Sequence, residues 1–157
     1  FTVAASSLGP MLIAATAKGL CRISFDEDEA ELRRRFPNAQ ILPADDDFAE
    51  LAAQVVALAD DPGRHAALPV DAQGTAFQQA VWDALRAIPP GETRTYKQIA
   101  ESVGRPGATR AAGTACGENV LAVLVPCHRV LRSDGSLGGY AYGLERKRAL
   151  LARESGT

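Results

Sequence analysis

The sequence has few cysteines, few histidines and no long apolar run, and each shortage excludes a class of protein. Its 157 residues include three cysteines and two histidines, too scattered for a disulfide framework or a structural zinc site. No apolar run approaches the roughly 20 residues needed to cross a bilayer. The N-terminus has no basic stretch followed by an apolar core, so we expect no signal peptide and a reducing, cytoplasmic setting. Because it begins with Phe1 rather than methionine, the chain is compatible with one domain of a longer protein.

Acidic and basic residues are unevenly distributed along the chain. Residues 1–74 hold 12 acidic and 6 basic residues, and residues 75–157 hold 7 acidic and 11 basic residues. The first part therefore carries a formal charge of −6 and the second +4, which together give the net −2. A basic second half is compatible with docking of a polyanion.

Short apolar runs and turn residues organise the first half. Strands are predicted over 1–6, 11–17 and 20–26, separated by the Gly-Pro and Lys-Gly breaks typical of hairpins. Asp26 is predicted to cap a helix that reaches Phe36, and a second helix is predicted over 46–59. With a linker predicted at 61–74, the chain divides into an α/β subdomain with a small antiparallel sheet, residues 1–73, and a second subdomain, residues 74–157.

The second subdomain is predicted to be mostly helical. Thr75 and Thr95 are candidate N-caps for helices that reach residues 88 and 103. A turn containing glycine separates the latter helix from one over 108–117, an order typical of the helix-turn-helix and of winged-helix-like folds. A last helix is predicted over 144–154.

The residues most suited to covalent chemistry follow a continuously apolar run. Residues 120–125 lead to Cys127, which His128 and Arg129 follow. Positive charge and a nearby base lower the pKa of a thiol, and the thiolate is the reactive nucleophile. Neighbouring side chains on an extended backbone point to opposite faces, so His128 is expected to act as a base on Cys127 through a water, or after a kink at Pro126.

Residues 126–130 read Pro-Cys-His-Arg-Val, and from residue 74 to Glu154 the chain resembles the O6-alkylguanine-DNA alkyltransferases (methylated-DNA–protein-cysteine methyltransferases). The resemblance is specific over this second half and loose over 1–73. It implies irreversible, single-turnover transfer of an alkyl group from O6-alkylguanine in duplex DNA to Cys127, with O4-alkylthymine as a further candidate substrate. It also implies that no metal or cofactor takes part, and that the protein acts as a monomer in the bacterial cytoplasm, associated with the nucleoid when bound.

The resemblance also implies a role for particular residues. Cys127 would accept the alkyl group, His128 would be the water-linked base, and Glu154, which the sequence alone does not single out, would hold the imidazole. Asn119 would brace the active-site turn, and Tyr96 would lie over the flipped nucleotide and donate a hydrogen bond to the base. The expected pocket wall consists of Val130, Gly138, Gly139, Tyr140 and Ala141. Many relatives carry a hydroxyl at position 141, and its absence leaves hydrogen bonding on that wall to the backbone.

Arg110 would enter the duplex in place of the flipped nucleotide, whose extrusion costs a few kcal/mol. It is long, cationic and able to stack on bases. Its helix consists largely of Ala, Gly and Thr, so it is narrow enough to approach the minor groove, which is ~6 Å wide. The other predicted DNA contacts, suited to sequence-independent binding of phosphates, are Thr95, Lys97, Arg105, Thr109 and Ser133.

Three other functions stay open on the sequence alone. An alkylated-DNA-binding protein without transfer would share the fold, but such proteins lack the acceptor thiol that Cys127 supplies. A cysteine hydrolase would use Cys127 with His128, although adjacent Cys-His pairs are unusual for that class and the helix-turn-helix would be unexplained. A transcription regulator would use the helix-turn-helix, but Ala, Gly and Thr offer few groups that read base edges.

Overall fold

The computed structural model describes residues 1–63 and 68–155, which form five β-strands and six α-helices. Part of the predicted linker at 61–74 therefore lies outside the described residues, as does His65. Within the described part of the chain, no helix is both long and apolar enough to cross a membrane.

A three-stranded antiparallel sheet begins the chain, and it agrees with the predicted strands to within a few residues. In spatial order the strands are β1 (Thr2–Ala4), β2 (Met11–Thr16) and β3 (Gly19–Phe25). Side chains alternate between the two faces. Ile13 and Ile23, which are paired across β2 and β3, lie in the main core, whereas Leu12 and Cys21 pack with Leu32 on the other face. Because both faces are covered, β3 is buried along its whole length.

Two helices follow the sheet, α1 (Glu29–Arg35) and α2 (Asp46–Asp60). The predicted cap of α1 is wrong: Asp28, rather than Asp26, accepts a hydrogen bond from the backbone at Glu31. Asp26 has a φ of 61° and its carboxylate pairs with Arg146 instead, at 2.6 Å. Asp45 caps α2, so both helices begin with the acidic side chain that their exposed N–H groups favour.

Three helices pack together in the second half, α3 (Ala76–Arg86), α4 (Tyr96–Ser102) and α5 (Thr109–Gly117). Thr75 and Thr95 cap α3 and α4 as predicted, each through a reciprocal pair of hydrogen bonds with a glutamine three residues later. Trp82 of α3 donates its indole N–H to the carbonyl of Ala115 on α5, at 3.0 Å. These contacts fix the position of α5 relative to the core.

The apolar run at 120–125 is buried, as predicted, but it is a series of turns rather than a strand. Ile23 of β3 donates to the carbonyl of Val120 at 2.8 Å and accepts from the amide of Ala122 at 3.0 Å. Val123 then adopts a φ of 70°, which redirects the chain. The run therefore joins the first half of the chain to the residues that follow.

A short parallel sheet and a last helix complete the fold. Strand β4 (Arg94–Thr95) pairs with β5 (Val130–Leu131), a contact that the sequence did not predict. Helix α6 (Leu144–Ser155) agrees with the predicted helix. Arg146 of α6 donates to the carbonyl of Leu8 at 2.8 Å and lies over the ring of Phe25, so α6 is held against the first half of the chain.

Candidate active site and DNA-binding face

Cys127 begins a 3₁₀ turn, Cys127–Arg129, that lies between the buried run and β5. The kink that was predicted as one possibility after Pro126 is therefore present, and the carbonyl of Pro126 accepts from the amide of Arg129 at 3.0 Å. Cys127 is only 7% exposed, but it lines a cavity of about 640 Å³. The lining residues, from α4, α5 and the loop before α6, are Tyr96, Thr109, Arg110, Gly113, Cys116, Gly117, Cys127, Arg132, Gly139, Tyr140 and Ala141.

Asn119 holds the residues around the thiol, in the position that was predicted for it. Its amide nitrogen donates to the carbonyl of Val125 at 2.7 Å and to Cys127 Sγ at 3.3 Å. Its side-chain oxygen accepts from the backbone of Leu121 at 2.9 Å. Asn119 is buried, and a buried side-chain amide is stabilised by such hydrogen bonds within the protein because water does not reach it. It therefore fixes both ends of the run that leads to the nucleophile.

The electrostatic setting of Cys127 differs from the prediction. The sequence predicted a pKa lowered by the neighbouring His128 and Arg129, whereas burial raises the pKa of the Cys127 thiol. The hydrogen bond from Asn119 and the positive charge of Lys147 oppose that effect without reversing it. Cys127 is therefore a protonated thiol at neutral pH in the DNA-free protein, and a base must remove its proton before it can attack.

His128 and Glu154 form a buried pair that is suited to this task. His128 Nε2 lies 2.7 Å from Glu154 Oε1, and both side chains are at most 1% exposed. Burial lowers the pKa of His128, although the Glu154 carboxylate opposes the effect. A neutral imidazole that donates from Nε2 to a carboxylate has its lone pair on Nδ1. That Nδ1 is buried and has no hydrogen-bond partner among the described residues, so it is available as a proton acceptor.

Arg129 is part of the same cluster, which the sequence did not predict. Its guanidinium donates to both carboxylate oxygens of Glu154, at 2.7–2.9 Å, rather than lying beside the thiol. Burial alone would raise the pKa of Glu154, but the hydrogen bonds from His128 and Arg129 lower it to about 2. Glu154 is therefore ionised over the whole physiological range, and it orients the imidazole in a single direction.

Lys147 is a second residue that the sequence analysis did not select. Its side chain is fully buried, and its ammonium group donates to three backbone carbonyls, those of Val130, Leu137 and Gly139. It thereby connects the strand after the active site to the loop that forms the cavity wall. Lys147 and Glu154 are seven residues apart on α6, two helical turns, and such spacing is the signal that could have suggested a shared face.

The residues predicted for the pocket wall lie in different places in the structure. Gly139, Tyr140 and Ala141 line the cavity, and the position of a Cβ on Gly138 would be 3.0 Å from the ring of Tyr96. Val130 is different: it is fully buried in the core behind the wall, because β5 turns its side chain inward. Cys116 and Arg132, which the sequence analysis did not assign to the wall, also line it.

The predicted DNA contacts lie on α4, on α5, in the turn between these helices and in the loop that follows β5. Arg110 and Thr109 line the cavity and are exposed at the start of α5. Lys97, Arg105 and Ser133 are exposed as well, and Thr95 is half-buried because its hydroxyl caps α4. Arg105 also lies 6.0 Å from the ring of Phe77. No group of three or more His, Cys, Asp or Glu side chains suited to a metal ion occurs within the described ranges.

Two family models match this chain. The model for the DNA-binding domain of 6-O-methylguanine DNA methyltransferase matches residues 76–156, and the one for the ribonuclease-like domain of the same protein matches residues 1–57. The first match covers more than half of the chain and includes Cys127, His128 and Glu154. The chain therefore belongs to the 6-O-methylguanine DNA methyltransferase family.

Individual relatives agree with this assignment. The chain is 41% identical to the methylated-DNA–protein-cysteine methyltransferase of Methanosarcina barkeri, over 98% of its own length and 96% of the relative's. It is 45% identical over 99% of its length to the bifunctional transcriptional activator/DNA repair enzyme Ada of Escherichia coli, of which it spans only 45%. The structure of Mycobacterium tuberculosis OGT in complex with DNA is similar with a TM-score of 0.82 and 36% identity, covering 98% of this chain and 91% of that one.

Proposed function

We propose that this protein repairs DNA by moving an alkyl group from the O6 atom of guanine in a duplex onto Cys127 Sγ, once per chain. The observation that carries the proposal is the buried thiol that lines an open cavity, next to an imidazole whose Nε2 is held by Glu154 and whose Nδ1 has no partner among residues 1–63 and 68–155. That arrangement supplies a nucleophile, a base and room for a nucleobase. The match to methylated-DNA–protein-cysteine methyltransferases supports the same chemistry.

His128 activates the thiol. In the proposed first step the Cys127 proton passes to His128 Nδ1 through a bridging water, because the two neighbouring side chains make no direct hydrogen bond in the described structure. The ionised Glu154 stabilises the imidazolium that forms. The burial that raises the thiol pKa also keeps the resulting thiolate poorly solvated, and a poorly solvated thiolate is a strong nucleophile.

The thiolate then displaces guanine. The sulfur forms a bond to the alkyl carbon while the bond from that carbon to O6 breaks, and the electron pair passes into the purine. Tyr96 is the proposed donor to the departing base, and burial raises its pKa to about 12, so its hydroxyl is protonated at neutral pH. The proton taken from Cys127 balances the one given to guanine. The product thioether has no leaving group for hydrolysis, which makes the reaction single-turnover.

Access to the lesion requires that the nucleotide leave the duplex. We infer that α4, the turn at 103–108 and α5 act as a helix-turn-helix whose second helix faces the minor groove, with Arg110 filling the space left in the stack. Lys97, Arg105 and Ser133 are exposed and suit phosphate contacts. The similarity to a structure solved in complex with DNA supports a DNA-binding role. We further propose that residues 1–73 form the supporting subdomain and that a single chain carries the whole site.

The test is incubation with a duplex that contains one O6-methylguanine, followed by mass spectrometry of the peptides. We expect one methyl group on Cys127 and no more than one per chain. Cys127→Ala should abolish the transfer, whereas Cys116→Ser, which removes the other thiol that lines the cavity, should not. Methylation at Cys116, or repair of more than one O6-methylguanine per chain, would refute the proposal.

A further inference from the structure

The C-terminal end of α2 receives two arginine side chains from the second half of the chain. Arg153 of α6 donates to the carbonyl of Ala59, and Arg129 donates to the carbonyl of Pro62 at 3.2 Å. The last carbonyls of a helix have no partner within the helix and carry partial negative charge. α2 has no basic residue of its own in its last turn. Arg153 therefore satisfies a carbonyl at the end of α2, and Arg129 holds the chain two residues beyond that end.

One of these arginines contacts the Glu154 carboxylate, and the other is its neighbour in sequence on α6. Arg153 precedes Glu154 in the chain, and its guanidinium also donates to Ser7 Oγ at 3.0 Å, which in turn donates to Asp60. Arg129 holds both oxygens of Glu154 and also donates to the carbonyl of Ile88 at 2.6 Å. The carboxylate is thus held by Arg129, which is anchored at Pro62, and the helical turn that carries it is held by Arg153, which is anchored at Ala59.

Glu154 lies at the C-terminal end of α6, so its position depends on contacts that hold the end of this helix. Glu154 is the last residue but one of α6, and terminal turns of helices fray unless tertiary contacts hold them. Besides Glu154 itself, Arg153 is the charged side chain of the last turn, and among the described residues it is hydrogen-bonded to Ala59 of α2 and to Ser7. Without it, Arg129 alone would oppose fraying of the turn that carries the carboxylate, and the 2.7 Å contact with His128 Nε2 would be less well maintained.

We propose that the C-terminal end of α2 positions the Glu154–His128 pair through Arg153 and Arg129, so that the first half of the chain is a working part of the thiol-activating site. Arg153 is a positioning residue in this scheme, since it touches neither the thiol nor the cavity. The expected effect of Arg153 on the rate of methyl transfer rests on the proposed function. Its effect on the imidazole can be measured independently of alkyl transfer.

The first test is an NMR titration of the His128 imidazole in wild type and Arg153→Met, with His65→Gln to assign the two histidines. The charged and polar groups that face His128 are Glu154 and Lys147 from α6 and Arg129 from its own turn. The Glu154 carboxylate raises the pKa of His128, so a weaker contact between the two side chains should move the titration of His128 to lower pH. Arg153→Lys should restore most of the wild-type titration, and Arg148→Met, at an exposed position of the same helix, should leave it unchanged.

The second test is the single-turnover rate of methyl transfer as a function of pH. Arg153→Met should slow transfer roughly tenfold at neutral pH with duplex binding unchanged, because misplacement of a catalytic pair is costly even from a distance. If that variant does not fold, Ser7→Ala removes one acceptor of Arg153 and should shift both readouts in the same direction by a smaller amount. A variant with lowered thermal stability but with wild-type titration and rate would overturn the proposal. A wild-type protein that is never methylated would instead refute the proposed function.

Discussion

Replacement of Lys147 by methionine tests whether the buried ammonium group holds the cavity wall in place. Methionine has nearly the same length, so the substitution removes the charge and leaves the packing volume. Three carbonyl oxygens, on Val130, Leu137 and Gly139, lose their donor. Each unpaired carbonyl lowers the free energy of unfolding by about 1–3 kcal/mol. Loss of the buried ammonium also removes its desolvation penalty, which raises the free energy of unfolding by several kcal/mol. We therefore expect a net loss of about 3 kcal/mol in the free energy of unfolding.

Urea unfolding followed by circular dichroism measures this loss, with Lys97→Met as the matched control. Lys97 is exposed on α4, so its replacement should change stability by no more than about 0.5 kcal/mol. Hydrogen exchange should also accelerate at the amides of residues 137–139 in the Lys147 variant, because their carbonyls no longer have an anchor. A Lys147→Met protein with wild-type stability and wild-type exchange would show that the three hydrogen bonds do not hold the loop.

Glu154→Gln should lower the rate constant for methyl transfer about tenfold without weakening duplex binding, as single-turnover and gel-shift assays would together reveal. Arg110→Ala should slow repair of duplex O6-methylguanine at least about tenfold more than reaction with free O6-benzylguanine, and equal losses would refute the insertion of Arg110 into the duplex. Transfer should slow only as pH falls below 6.5, the ordinary pKa of histidine, because the pKa of His128 is lowered and imidazolium cannot accept the thiol proton; a loss of rate centred at or above pH 6.5 would contradict this. Gly138→Ala should cost about 1–3 kcal/mol in urea unfolding, since Gly138 has a φ of 68° and a Cβ there would be 3.0 Å from Tyr96.

Local signals in the sequence predicted most of the secondary structure. Thr75 and Thr95 are each followed three residues later by glutamine, and that pattern satisfies two helix N–H groups at once wherever it occurs. The cap of α1 was misplaced because two aspartates, Asp26 and Asp28, precede it. The carboxylate of Asp26 pairs with Arg146 and does not cap the helix. Arg146 is distant in sequence, so the residues around Asp26 do not reveal that contact.

The candidate site was predicted in its members more fully than in its electrostatics. Cys127 and His128 are identified by a short contiguous motif. Lys147 is identified by its hydrogen bonds to three backbone carbonyls that are brought together by folding. The direction of the Cys127 pKa shift depends on burial, and burial is a property of the folded chain. Arg129, next to the thiol in sequence, is directed by the 3₁₀ turn towards Glu154 instead.

The hydrogen bonds of Ile23 with Val120 and Ala122 extend the first sheet into the segment that leads to the nucleophile. A gene divided near residue 73 would yield one fragment with the open edge of β3 and another with the apolar side chain of Leu121 uncovered. Each fragment alone should therefore aggregate, while fusion to two proteins that bind each other should let the fragments reassociate. Such a pair would serve as a complementation reporter in which covalent labelling of the reactive sulfur signals that two fused partners have met.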